Sequence, residues 1–232
     1  LTTLLLRFAG PAQSYASSPF TTRPTEGVPT RSAVLGLIAA AAGITRDVDA
    51  PWLDELDIWV RVDKPGTAVN DFHTISAPPA AVASSRTRQR YIGSLGADRR
   101  TADFAVPTGK GTKWSAHGAT TMTTHRSFLA DAEFIVAITH PDPGVVDTVD
   151  HAIRNPEFMT YLGRKAFSPT FPFRLGITQG TPETVLEQLP TASTAPALPL
   201  HHLNSPRSYA TAHVHPERCT NRSELLQKWR AA

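Results

Sequence analysis

At 232 residues and 41% hydrophobic content, the chain can bury a substantial core, as one large domain or two small ones packed together. It holds no apolar run near the ~20 residues of a membrane span, and its Leu4–Leu6 start is too short for a signal peptide. The lone Cys219 excludes a disulfide framework and a cysteine-rich zinc site, so a reducing, cytoplasmic setting is expected, and the net charge of +3 is modest.

Thr2 to Phe8 reads as a short buried strand, rich in leucine and bounded by Gly10-Pro11. Ala12 to Val28 reads as a long loop that carries Gln13, Tyr15, Phe20 and Arg23, side chains able to hydrogen-bond or stack. Loops of this length without regular structure are more often functional than filler. Pro29 closes it, and Thr30 or Ser32 can cap the helix that follows. Ala33, Val34, Leu35, Leu37, Ile38 and the alanines to Ala42 make that helix apolar on most sides, with Gly43 as its left-handed C-terminal residue. Arg31 sits at its start and Arg23 just upstream. Free amides, a positive helix end and two guanidinium groups make a candidate phosphate site. The competing reading is an ordinary capped core helix with solvated arginines.

Ile58 to Asp63 alternates as a strand, Lys64-Pro65-Gly66 turns, and Asn70 to Ile75 begins another extended piece. Composition then changes. Ser76 to Thr124 is rich in Ala, Ser, Thr, Gly and Arg, with Tyr91, Phe104 and Trp114 spaced among them. Between Ala80 and Arg126 stand eight cations (Arg86, Arg88, Arg90, Arg99, Arg100, Lys110, Lys113 and Arg126) and two carboxylates, Asp98 and Asp103. That segment nets +6, while the remaining fifteen cations and eighteen carboxylates net −3. A localised cationic patch is the footprint of a polyanion partner. Aromatics interleaved with arginines suit single-stranded nucleic acid, where rings stack on bases and guanidinium groups meet phosphates. The segment is expected to leave the core as a long hairpin or arm, partly mobile until bound. The alternative is a solvated loop.

Phe134 to Ile138 is a buried strand, and Val145 to Arg154 a helix with Val145, Val146, Val149, Ala152 and Ile153 on its inner side. Tyr161-Leu162-Gly163-Arg164-Lys165 forms a loop whose glycine allows close backbone approach beside two cations. Arg174 to Thr178 is a last core strand, and Thr181 to Leu189 a short helix with Pro182 in its first turn. Beyond Pro190 the chain is rich in Pro, Ala and His. His201, His202, His213 and His215 invite a metal reading, but no Asp, Glu or Cys pattern joins them, so no metal and no cofactor are expected. Ser223 to Arg230 suits a terminal helix. Strand, helix, strand followed by strand, helix, strand is a ferredoxin-like α+β arrangement. Its core is expected in residues 1–75 and 127–189, with the basic insertion at 76–126 and a small C-terminal region at 190–232.

Several short motifs, in order, resemble one family. They are Leu6-Arg7-Phe8-Ala9-Gly10-Pro11 with Gln13-Ser14-Tyr15, then Arg23-Pro24-Thr25, Pro29-Thr30-Arg31-Ser32 and Leu35-Gly36-Leu37. Asp71 with His73-Thr74, Phe128-Leu129 with Asp131-Ala132 and Phe134, and Tyr161-Leu162-Gly163-Arg164 follow. Together they are similar to the CasD family, the guide-RNA-handling subunits of type I-E CRISPR Cascade. The resemblance spans about residues 3 to 178, and nothing is carried over beyond Pro190. It implies a RAMP/RRM-like, ferredoxin-like domain with a thumb-like hairpin insertion and a small β-rich C-terminal region. It implies a non-catalytic subunit of an antiviral ribonucleoprotein that caps the 5′ handle of the crRNA. Its partners would be the terminal backbone subunit and the large subunit, with target DNA reached through the complex. The implied RNA contacts are Gln13, Tyr15, Arg23, Thr30, Arg31, Ser32, Arg86, Arg88, Arg90, Lys110, Lys113 and Arg164.

Two other readings stay open. A metal-independent endoribonuclease would need a base such as His73 and a cation such as Lys110 or Lys113. A protein-only scaffold would place the +6 segment against an acidic partner.

Overall fold

The structure, a computed structural model, describes residues 1–15, 22–45, 48–75, 105–108, 111–114, 122–204 and 210–231. In chain order its elements are β1 (Thr2–Ala9), β2 (Ala12–Gln13), β3 (Thr22–Arg23), α1 (Arg31–Ala41), α2 (Pro51–Glu55), β4 (Asp57–Lys64) and β5 (Thr67–Ile75). Then come β6 (Ala105–Thr108), β7 (Gly111–Trp114), β8 (Met122–Ala130), β9 (Glu133–Thr139), α3 (Pro143–Arg154) and β10 (Arg174–Gln179). The chain ends with α4 (Pro182–Gln188), β11 (Leu198–His202), β12 (Ala210–Val214) and α5 (Arg222–Ala231). It divides into two compact units: Leu1–Pro19, Arg23–Asn70 and Ser127–Ala232 form the first, and Phe20–Thr22 with Asp71–Arg126 the second.

The first unit is built on a six-stranded antiparallel sheet in the order β10-β1-β9-β4-β11-β12. β1 lies inside it, with Leu5 opposite Gly176 on one side and Ala137 on the other. Successive side chains of a strand point to opposite faces, and both faces here are covered. Leu4, Leu6 and Phe8 enter one core with Val34, Leu37, Ile38 and Ala41 of α1 and Val146, Val149, Ala152 and Ile153 of α3. Leu5 enters a second core with Ile135, Ala137, Val185, Leu186, Leu225 and Trp229. Coverage on both faces is why β1 and β9 read as continuous apolar runs rather than alternating ones.

The helices begin where short polar side chains can hold free amides. Asp142 accepts from the Gly144 amide at 2.8 Å, and Thr181 from the Thr184 amide at 3.4 Å, each with proline in the first turn. At the far end of α1 the Glu157 and Phe158 amides donate to the carbonyls of Ala41 and Ala40.

The Pro- and His-rich C-terminal residues extend the sheet. β11 adds to the edge of β4, with Leu200 opposite Arg61 and His202 opposite Trp59, and β12 adds to β11. α4 and α5 cover the second face. A buried ionic cluster anchors this covering. Arg61 donates from Nε and Nη2 to the two oxygens of Asp63, at 2.7 and 2.8 Å. Its Nη1 donates to the carbonyls of Leu186 and Leu189 as α4 ends. Thr191 Oγ1 adds a 2.6 Å bond to Asp63, and Trp229 Nε1 of α5 donates to the Pro190 carbonyl at 2.9 Å.

A second sheet has the order β2-β8-β3, with β5 also pairing β8. The stretch expected as an unbroken loop therefore contains β2 and β3, and Gln13 is in register with Leu129. Trp52 to Glu55 belong to α2, which Pro51 starts. In the second unit β6 and β7 pair antiparallel, with Ala105 opposite Trp114 and Thr108 opposite Gly111.

Candidate nucleic-acid interface

Three parts of the first unit converge where the second sheet ends. Gly163 has φ +88°, open to glycine at little cost. A Cβ there would lie 1.6 Å from the Ser14 carbonyl oxygen, so the 161–167 loop sits directly on the backbone that follows β2. The Ser14 amide donates to the Leu162 carbonyl at 3.1 Å. Ser14 Oγ and Arg164 Nη2 both donate to the carbonyl of Ser127, at 3.1 and 2.8 Å. Ser127 Oγ donates to Asn70 Oδ1 at 2.6 Å. Arg164 also lies over the Phe167 ring, 5.4 Å from its centroid. From the other side the Tyr15 amide donates to Thr25 Oγ1, and the Glu26 amide to the Tyr15 carbonyl.

Gln13 and Tyr15 support this junction from inside. Gln13 is 0% exposed. Its Nε2 donates to the carbonyls of Phe8 and Ala132, and its Oε1 accepts the Tyr15 hydroxyl at 2.6 Å. Burial pushes the Tyr15 phenol pKa well above its ordinary value, so the hydroxyl keeps the proton it donates. The polar atoms of both side chains are used within the core.

At the start of α1, Thr30 rather than Ser32 is the cap, its Oγ1 accepting from the Ala33 amide at 3.3 Å. Ser32 is exposed and lies 3.3 Å away, Oγ to Oγ. The Thr30→Ala chain is expected to lose about 1 kcal/mol of stability, read as a lower urea midpoint at unchanged slope. Arg31 points back along the protein. Its Nη1 donates to the Leu56 carbonyl and Asn204 Oδ1, at 2.8 and 2.9 Å, and Nη2 to the Asp54 carbonyl at 2.7 Å. It thus satisfies carbonyls left over as α2 ends. Arg23 sits partly exposed on β3, with a contact of its own inside the chain.

Arg86, Arg88, Arg90 and Lys110 fall outside the described residues. Lys113 is placed on β7, in register with Val106. His73 stands exposed on β5, its Nδ1 3.4 Å from Asp71 Oδ2. Among the described residues, no group of three or more His, Cys, Asp or Glu could hold a metal ion. His202 is drawn to Asp57, 2.5 Å from Nε2 to Oδ1, and stacks on Trp59 at 4.1 Å. His215 donates to the Pro196 carbonyl. No helix among the described residues is long and apolar enough to cross a membrane.

Sequence reasoning singled out Gly163 for close backbone approach but not its partner, Ser14. It missed Ser127 and Asn70 as anchors. Nothing local marks either residue, because their partners come from distant parts of the chain.

Residues 3–224 match the profile of the family described as CRISPR-associated protein (Cas_Cas5). The CRISPR system Cascade subunit CasD of Escherichia coli (strain K12) is 31% identical over 193 residues, covering 77% of this chain and 72% of that protein. A chain of a solved CRISPR RNA-guided surveillance complex is similar at TM-score 0.69 and 27% identity, over 99% of this chain and 100% of that one. A crystal structure of a Cas protein gives TM-score 0.56 at 26% identity, over 86% of this chain and 78% of the other. The profile continues past Pro190, where the sequence motifs stop, so β11, β12 and the start of α5 fall within the matched region. Matched almost from end to end, the chain belongs to the CRISPR-associated protein (Cas_Cas5) family.

Proposed function

We propose that the chain is a non-catalytic subunit of a Cascade-type surveillance complex and that it binds and caps the 5′ handle of the crRNA. The similarity to CasD over 77% of the chain carries this reading. The sheet order β10-β1-β9-β4, with α1 and α3 packed in one core, supports a ferredoxin-like RAMP core. On this reading residues 76–126 are the thumb-like insertion, and their cations follow the RNA backbone. Partner subunits meet the chain on its other surfaces.

The geometry supports some of these contacts better than others. α4 and α5 cover the second face of the sheet, so a single strand cannot lie across that face as it does on an open RRM sheet. The handle is therefore assigned to the loop side and the basic segment. Arg23, Thr30 and Ser32 near the start of α1 are proposed to meet it, with Arg86, Arg88, Arg90, Lys110 and Lys113. Gln13, Tyr15 and Arg31 act from behind by holding the backbone in place. Phosphate contacts position the strand, and base-edge contacts would specify the handle.

The test is one labelled repeat RNA incubated with the purified chain, with and without EDTA, then run on native and denaturing gels. An intact, shifted RNA is expected. A discrete EDTA-resistant product would replace the binding reading with nuclease chemistry and make His73 the next target. The Arg86→Ala, Arg88→Ala, Arg90→Ala triple variant is expected to flatten the salt dependence. At about 0.7 per phosphate on single strands, the log–log slope should fall in magnitude by roughly 2. An unchanged slope would remove the segment from the RNA contact.

A further inference from the structure

We propose that Phe128 is a stacking platform for one unpaired base of the RNA, with Phe167 as its support and Lys165 beside the adjoining phosphate. The inference deepens the handle-binding reading and rests on it. Every residue it uses lies in the first unit.

Phe128 stands next to Leu129 on β8. Successive side chains of a strand point to opposite faces. Leu129 is buried in the core with Tyr15 and Phe134, which sends Phe128 to the other face. There Phe128 is half-buried and enters neither of the two cores. Its ring meets Phe167 instead, at 5.7 Å between centroids and 51° between planes. Phe167 is held on several sides. It packs against the first core, its amide donates to the Arg164 carbonyl at 2.9 Å, and its carbonyl accepts the Leu162 amide at 2.7 Å. The Arg164 guanidinium lies over the Phe167 ring. Its Nη2 donates at 2.8 Å to the carbonyl of Ser127, the residue before Phe128. The rings and the backbone that carries them are thus fixed before a ligand arrives, which lowers the ordering cost of binding.

A phenylalanine left half-open on a strand keeps apolar area in water that a flat partner can cover. Charge says which partner. Residues 161–167 include Arg164 and Lys165 and no carboxylate, and Lys165 is exposed. An aromatic face beside cations suits a nucleotide of a single strand, with the base on the ring and the phosphate on the ammonium group. Bases of a duplex are already stacked, so the platform selects unpaired ones. Every base has a π-face, so Phe128 adds affinity without reading sequence. Arg164 acts through Phe167 and Ser127, which makes it a positioning residue.

The experiment titrates the full-length chain with the labelled repeat RNA and with a set of the same RNA in which one nucleotide at a time is abasic. The parent, Phe128→Leu, Phe128→Tyr and Arg164→Lys are compared across a salt series, and melting of each chain is followed in parallel. Phe128→Leu keeps an apolar side chain and loses the ring, so it should weaken binding roughly ten-fold. Its salt slope should not change, because no charge is removed. Phe128→Tyr offers the same ring face and should bind within about two-fold of the parent. At one position the abasic RNA should weaken the parent by the same factor, and there Phe128→Leu should lose nothing more. Arg164→Lys keeps the charge but not the planar group on Phe167, and its penalty should shrink at that same position. Parent-like binding by Phe128→Leu, while the triple arginine variant still flattens the slope, overturns the platform and leaves the handle reading standing. A loss in Phe128→Leu that simply adds to the loss at every abasic position makes the effect structural and overturns the platform as well. A parent chain that leaves the RNA unshifted overturns both.

Discussion

Replacing Arg61 with alanine is expected to cost about 3–5 kcal/mol of stability, because it strands a buried charge. Arg61 is 0% exposed and Asp63 is 6% exposed, and the two meet through paired bonds of 2.7 and 2.8 Å. Without the guanidinium, Asp63 keeps only the Thr191 hydroxyl among the partners described above, and the Leu186 and Leu189 carbonyls lose a charged donor. α4 and α5 would then loosen together, since Trp229 is bonded to Pro190 in the same cluster. The melting temperature should fall on the order of 10 °C for a chain of this size. The Arg61→Met, Asp63→Leu double variant should recover much of the loss, because burying two apolar groups avoids the unpaired charge. A double-variant loss equal to the sum of the separate Arg61→Met and Asp63→Leu losses would show that the pair is not coupled.

Gly163→Ala is the second large effect, and it should strike the candidate interface before the core. A non-glycine residue in an unfavourable backbone region costs about 1–3 kcal/mol before any overlap is counted. Here the overlap is with the Ser14 carbonyl, a backbone atom that cannot rotate away. The 161–167 loop must lift, and the bonds from Ser14 to Leu162 and from Arg164 to Ser127 lengthen or break. RNA affinity is expected to drop roughly ten-fold or more, equivalent to about 1.4 kcal/mol. Amide exchange at Ser14 should quicken. Gly36→Ala is the matched control. It lies in α1 with nothing within 4 Å of its added Cβ, and alanine should stabilise the helix by up to about 1 kcal/mol. Parent-like binding and exchange in Gly163→Ala would refute the close-approach argument.

Local signals explain what the sequence made legible. The apolar runs of β1 and β9, the cap at Thr30, the proline that opens α4 and the left-handed Gly43 are decided within a few residues. Destinations of long polar side chains are not. Arg31 at a helix start pointed to an anion, and the fold spends it on the carbonyls of Asp54 and Leu56. Gln13 and Tyr15 looked available for bases, yet β8, which pairs with β2, and the core around Phe134 enclose them. The resemblance implied a β-rich C-terminal region, but the composition there, rich in proline and histidine, did not locate its two strands. Their anchors are Leu198, Leu200 and Val214, at alternating positions too few to stand out in a list of prolines.

The place of β1 bears on how the protein is made. Its leucines leave the ribosome well before both neighbouring strands, β9 and β10, which lie far along the chain. At typical elongation rates, roughly 125 further residues take on the order of ten seconds. Through that interval Leu4, Leu5 and Leu6 have neither strand to pair with. Nascent chains that stop short of Gln179 are thus expected to be protected by chaperones or lost to aggregation, and β1 gains both of its neighbours only once β10 has emerged.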